Sequence, residues 1–254
     1  RGLGRIDSNV NLNYLSQGVT TVVTGNCGGG TFKISETKAK WEEQGIGTNA
    51  VMWVGFGTIR RAVMKVEPRA PTAEELDKMK SILRQAMEEG AWGMSTGLEY
   101  IPDRYSETEE VIAMTNVVGE FDGVYSSHQR DECALICEAI EETVRISEET
   151  GVRVNIAHFK ICGKDNWGLM KDAVKLVNEA RARGIYITAD QYPYIQSAPV
   201  GAIISILRVP RDMEPVAGLR RKMRNRDLDE AERENFREQY MDELRKAFSD
   251  ETKR

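Results

Sequence analysis

From Val19 to Asp190 the chain alternates helix-period segments with short apolar runs rich in β-branched residues, and no recurring hairpin signal interrupts the rhythm. The short runs fall near 19–25, 50–56, 92–96, 123–128, 153–158 and 185–190. Helical spacing marks Asn9–Gln17, Ser35–Gln44, Pro71–Glu89, Glu107–Glu120, Asp131–Glu149 and Trp167–Arg183. Strands that always alternate with helices cannot pair as hairpins, so the pattern predicts a parallel sheet, either closed into a barrel or open and doubly wound. An open sheet gathers its ligands at one switch point, whereas a barrel spreads them over the C-terminal ends of many strands. Chemistry-bearing residues here sit at several strand ends, which favours an α/β fold of the (β/α)8 TIM type. Six units fall two short of closure, so the expectation is an incomplete barrel of about six βα units plus a helical insertion.

The rhythm breaks after Tyr194, and from about Arg208 charge of both signs alternates with sparse, helically spaced apolar residues such as Phe236, Tyr240, Leu244 and Phe248. The expected organisation is a catalytic barrel portion over 1–207 and a charged helical insertion on the barrel rim over 208–254. A net charge of −5 gives no electrostatic case for nucleic acid. The apolar runs fall well short of the roughly 20 residues that span a bilayer, so no membrane partner is expected. Four cysteines in 254 residues make no disulfide framework, which points to a reducing, cytoplasmic setting. The first residue is Arg1 rather than Met, and the chain is expected to be an excerpt of a longer protein.

Cys27 follows the run Val19–Thr24 and opens the turn Gly25-Asn26-Cys27-Gly28-Gly29-Gly30. The two histidines in the chain, His128 and His158, each close another such run. A soft thiolate and two imidazoles at the exits of different strands make a coherent ligand set for zinc. A buried thiol and two hydrogen-bonded imidazoles are the alternative. Ser126, Ser127, Asp131 and Asn155 are the nearby candidates for fixing the imidazole tautomers. Cys133 and Cys137, four apart, are expected to pack in a helix face, and Cys162 to pack near the site.

The stretches GVTTVVTGNCG (18–28), GMSTGLEYIP (93–102), YSSHQRDE (125–132), AHFK (157–160), NWG (166–168) and DQYPY (190–194) resemble, in order, the D-aminoacylase (N-acyl-D-amino-acid deacylase) family of the amidohydrolase superfamily. That resemblance implies a zinc-dependent amide hydrolase that removes the acyl group from N-acyl-D-amino acids. It assigns the zinc to Cys27, His128 and His158, and a small N-acyl amino acid partner to Tyr100, Lys160 and Ser197, with Lys160 near the substrate carboxylate. Strand alternation is expected to carry Lys160 to the same side as His158. The family has a His-x-His pair upstream and a catalytic aspartate beyond the insertion. Neither is found in this chain, so the general base is left unassigned. Two alternatives are a cyclic amide or imide hydrolase of the same superfamily and a non-catalytic metal-binding barrel scaffold.

Overall fold

A computed structural model describes residues 3, 9–194, 235, 238, 239 and 242. Six strands, β1 (Thr21–Thr24), β2 (Asn49–Gly55), β3 (Gly93–Gly97), β4 (Val124–His128), β5 (Arg153–Ile156) and β6 (Ile187–Ala189), form one sheet in sequential order. All five neighbouring pairs are parallel. No strand-order reversal occurs within this sheet, so the described residues form a curled half-barrel of the incomplete (β/α)8 kind.

The helices are α1 (Leu12–Leu15), α2 (Ile34–Gln44), α3 (Phe56–Met64), α4 (Ala73–Glu88), α5 (Thr108–Gly119), α6 (Ile136–Thr150) and α7 (Met170–Ala182). In α4, Met79, Leu83, Ala86 and Met87 share one face and are buried, the spacing that lays a helix along a sheet. Its start is fixed by a reciprocal cap. Thr72 Oγ accepts from Glu75 N at 3.2 Å, and Glu75 Oε2 accepts from Thr72 N at 2.8 Å. Truncating a side chain such as fully buried Leu83 costs about 2–5 kcal/mol in a packed core.

Several elements depart from the sequence pattern: α1 is shorter than Asn9–Gln17, and Trp167–Leu169 lies in a 3-10 segment (Lys164–Leu169) ahead of α7. The helix α3 starts directly after β2, inside what reads as a continuation of the apolar run. It carries Arg60, which is fully buried and pairs with Glu110 at 2.9 Å. The segment 131–135 is not helical, because Asp131 Oδ1 accepts from the backbone N–H groups of Cys133 and Leu135 and holds a turn before α6.

The register aligns the strand ends that matter: Gly55 pairs with Ser95, Gly97 with His128 and Ser127 with Ile156. Ser95, Ser126 and Asn155 lie opposite one another across β3, β4 and β5, on the face of β4 that also carries His128. Asn155 donates to Ser126 Oγ at 3.3 Å and to Asp190 Oδ2 at 2.8 Å. Small polar side chains therefore floor the site. The chain divides into compact units 1–197 and 198–254. Most of the charged segment 208–254, and all of the boundary expected at 207, lie outside the described residues. Asn235, Glu238 and Gln239 within that segment are helical, and Gln239 donates to Asn235 at 3.0 Å, one turn away.

Candidate metal centre

The turn after β1 is locked from several sides. Ser95 Oγ donates to Gly25 O at 2.5 Å and accepts from Gly28 N at 3.1 Å, so a β3 side chain clamps the backbone on both sides of Cys27. The first turn of α3 adds Thr58 N to Gly28 O at 3.2 Å, and Gly55 N reaches Gly30 O at 3.0 Å. A Cβ on Gly28 would sit 2.2 Å from Asp103 Oδ2, and one on Gly25 would sit 2.1 Å from Trp53 O. Glycine at both positions lets the loop press against β2 and β3. Cys27 itself has φ 56, which aims its thiol across the strand ends.

His128 ends β4, and His158 lies two residues past β5 at φ 40. Cys27 Sγ lies 3.6 Å from His158 Nε2, and His128 Nδ1 lies 2.9 Å from His158 Nε2. The three donor atoms all fall within 4.8 Å of one another. Carboxylates stand behind both imidazoles: His128 Nε2 is 3.0 Å from Glu99 Oε2, and His158 Nδ1 is 2.8 Å from Glu132 Oε1. Each carboxylate favours a proton on the outer ring nitrogen. The inner nitrogens then face each other as lone pairs beside a thiol. Such a group is repulsive with nothing among them and well matched to a borderline-soft cation. The residues fit zinc.

Without an ion, protons take its place: the imidazoles are raised and the thiol is lowered, and a bound cation would displace those protons. Burial alone would raise the Cys27 thiol, but hydrogen bonds and positive charge from His128 and His158 bring it down to about 7. Burial would lower His158, yet its contacts with Cys27 and Glu132 raise it to about 9; His128 is likewise raised, by Cys27 and Glu99. Glu132 falls to about 2 despite burial, because His158, His128 and Lys160 surround it. Tyr100 is pushed up by burial and by negative charge at Cys27 and Glu99. Its hydroxyl lies 3.4 Å from His128 Nδ1.

No family model matches the chain. It is 34% identical over 250 residues to a D-aminoacylase of Alcaligenes xylosoxydans xylosoxydans, covering 89% of this chain and 51% of that protein. An N-acyl-D-aspartate deacylase of the same organism is 32% identical over 207 residues, which is 72% of this chain and 41% of that protein. A crystal structure of D-aminoacylase, described as defining a subset of amidohydrolases, superposes with a TM-score of 0.71 at 34% identity, over 75% of this chain and 45% of that one. So does an N-acyl-D-glutamate deacylase from Bordetella bronchiseptica bound to zinc and a phosphonate inhibitor, with TM-score 0.71 at 30% identity, over 76% of this chain and 45% of that one. The chain belongs to the D-aminoacylase family. It spans about half the length, or slightly less, of the curated relatives it matches.

Within this family member the structure brings together Cys27, His128, His158, Tyr100 and Lys160. Ser197 lies outside the described residues. Lys160 does reach the same side as His158, with Nζ 3.1 Å from His158 Nδ1. Strand alternation is not the reason, because β5 ends at Ile156 and the positive φ of His158 turns the chain. The Tyr192 ring lies 5.8 Å below that ammonium, within the range of a cation–π contact.

The tautomer-fixing residues differ from the sequence expectation. Ser126 accepts from Asn155, Ser127 bonds Thr96 and backbone, Asn155 bonds Ser126 and Asp190, and Asp131 caps the turn before α6. Glu99 and Glu132 face the imidazoles instead. The signal that marks them is placement, two and four residues past the ends of β3 and β4 and inside the family-like stretches. Cys137 packs against the core, as the helical spacing predicts. Cys133 sits in the turn ahead of α6 rather than on the helix, and Cys162 donates its backbone N–H to Glu132 O at 2.7 Å. All four cysteines are free thiols.

Proposed function

We propose that this chain is the metal-binding part of a zinc-dependent hydrolase that removes the acyl group from N-acyl-D-amino acids. The observation that carries the proposal is the convergence of Cys27 Sγ, His128 Nδ1 and His158 Nε2 on one point, with a carboxylate behind each imidazole. Cys27, His128 and His158 would hold the ion, which when bound supplies Lewis acidity to a water molecule and to the amide carbonyl. Tyr100, whose hydroxyl lies 3.4 Å from His128 Nδ1, would donate a hydrogen bond to substrate. Lys160 presents a cation for the carboxylate of the N-acyl amino acid. Ser197 is proposed as a further substrate contact from the family pattern. The proton-accepting carboxylate belongs, in this reading, to the part of the full-length protein outside these residues, as does the upstream His-x-His pair. The segment 208–254 is proposed to be an insertion on the barrel rim, with 1–207 as the barrel portion.

No helix among the described residues is long and apolar enough to cross a membrane. With four free thiols and a net charge of −5, we place the protein in the cytoplasm, acting on a small molecule rather than on nucleic acid or a bilayer.

The test is zinc content and turnover in the full-length protein. Wild type should hold zinc and hydrolyse N-acyl-D-amino acids in preference to their L-enantiomers. Cys27→Ala should lose the ion and the activity together. Zinc retained at full stoichiometry in Cys27→Ala would refute the ligand assignment. Turnover of cyclic amides with no action on linear N-acyl-D-amino acids would replace the proposal with the cyclic amide reading.

A further inference from the structure

We infer that Glu132 is a positioning residue that serves both halves of this site: one carboxylate oxygen fixes the His158 tautomer for the ion, and the other holds Lys160 for the substrate carboxylate. The inference takes its ligand assignment from the zinc reading above, and adds a role for a residue outside that ligand set.

Glu132 is 7% exposed, and its backbone is tied across the strand ends by Cys162 N to Glu132 O at 2.7 Å. Oε1 lies 2.8 Å from His158 Nδ1, and Oε2 pairs with Lys160 Nζ. Lys160 Nζ is in turn 3.1 Å from His158 Nδ1. This three-way contact has a chemical consequence. A lysine ammonium has only donors. To ligate through Nε2, His158 must carry its proton on Nδ1, which makes Nδ1–H a donor as well. Two donors 3.1 Å apart are compatible only because the Glu132 carboxylate accepts from both. Without that carboxylate, the ammonium would donate to the Nδ1 lone pair. The ring proton would then move to Nε2, the atom that faces Cys27 and His128. A neutral imidazole protonated there cannot bind a metal through it.

A plain structural ion pair between Glu132 and Lys160 makes a different forecast, and a suppressor experiment separates the two. Zinc affinity is measured on the metal-free full-length protein by competition with a chromophoric chelator, after thermal unfolding has shown each variant folded. Glu132→Ala should weaken zinc by about 10–100-fold, the range for loss of a residue that orients a metal-ligating histidine. Lys160→Met alone should change zinc affinity by less than about threefold. The double variant Glu132→Ala/Lys160→Met should recover most of the lost affinity, because the group that imposes the wrong tautomer is gone. Glu132→Gln, whose amide oxygen still accepts from Nδ1–H, should fall between wild type and Glu132→Ala, and it serves if the alanine variant does not fold.

Parent-like zinc affinity in both Glu132 variants would overturn the inference. So would a double variant as weak as Glu132→Ala, which would make Glu132 a structural partner only. Failure of the zinc reading itself shows separately, as a wild type that binds no zinc or a Cys27→Ala variant that keeps it.

Discussion

Where the strands begin, five of the six helix-to-strand turns among the described residues pass through a glycine at positive φ, Gly151 and Gly184 among them, and the sixth uses Asp122 at φ 52. Where the strands end, positive φ falls on Cys27 and His158 as well. A residue with a Cβ pays about 1–2 kcal/mol to adopt the left-handed region, and Asn and Asp are the usual exceptions. The chain avoids that strain at the end that only has to reverse direction. It accepts the strain at the end where a side chain must point at a neighbouring strand. Both strained residues are proposed ligands, and both are clamped, Cys27 by Ser95 on either side and His158 by its own N–H to Asp190 Oδ1 at 2.8 Å. Unusual backbone persists where surrounding contacts over-determine it.

The comparison breaks most directly at Cys27. Cys27→Gly should relieve backbone strain, leaving metal-free stability equal or slightly raised, while zinc affinity falls by about a hundredfold or more with loss of a thiolate ligand. Thermal unfolding of the metal-free protein and chelator competition check the two halves. If the metal-free variant instead lost more than about 1 kcal/mol, the thiol would be a packing residue and the strain would have another cause.

How far this was legible in the sequence follows from the same residues. The strands were visible because β-branched apolar runs alternate with helical spacing, and each observed strand lies within two residues of its expected start. The helix α3 was not, because Phe56 prolongs the apolar run of β2 and a buried strand and a buried helix turn look alike over so short a span. Cys27, His128 and His158 stood out through rarity and position. Glu99 and Glu132 did not, as two among 40 acidic residues. Their placement two and four residues past strand ends is a weak hint shared with other loop residues, and it is the sheet register bringing the ends of β3, β4 and β5 together that picks them out.

The next contrast lies between Cys27 and the other thiols. In the metal-free protein Cys27 sits at about 7, whereas burial pushes Cys133 up to about 11 and raises Cys137 and Cys162 as well. A lowered thiol pKa places the thiolate at neutral pH: Cys27 should be about half ionised at pH 7 and largely protonated by pH 5, while Cys133 stays a thiol throughout. Iodoacetamide at pH 7 should therefore modify Cys27 about a hundredfold faster than Cys133, even allowing for its lower intrinsic nucleophilicity. Peptide mass spectrometry with time gives the ratio, and added zinc should suppress the Cys27 reaction alone. Equal rates at all four cysteines would mean that the imidazoles do not hold the thiolate, and the strand-end cluster would lose its electrostatic basis.

The smallest effect tests the opposite end. Gly151 closes α6 at φ 70, with its N–H donating to Ser147 O at 2.8 Å, and a Cβ there would meet nothing within 4 Å. Sterics with neighbours therefore play no part, and any cost of substitution is backbone conformation alone. Gly151→Ala should destabilise by about 1 kcal/mol, and Gly151→Asn by less, because a short amide side chain tolerates the left-handed region. Zinc affinity and Cys27 reactivity should be unchanged in both, since the turn lies at the far end of β5 from His158. The graded order Gly, Asn, Ala in thermal stability is the signature of a pure φ requirement. An alanine variant as stable as wild type would show that this turn relaxes to negative φ at no cost. The glycine-for-strain contrast between the two ends of the sheet would then rest on Cys27 and His158 alone.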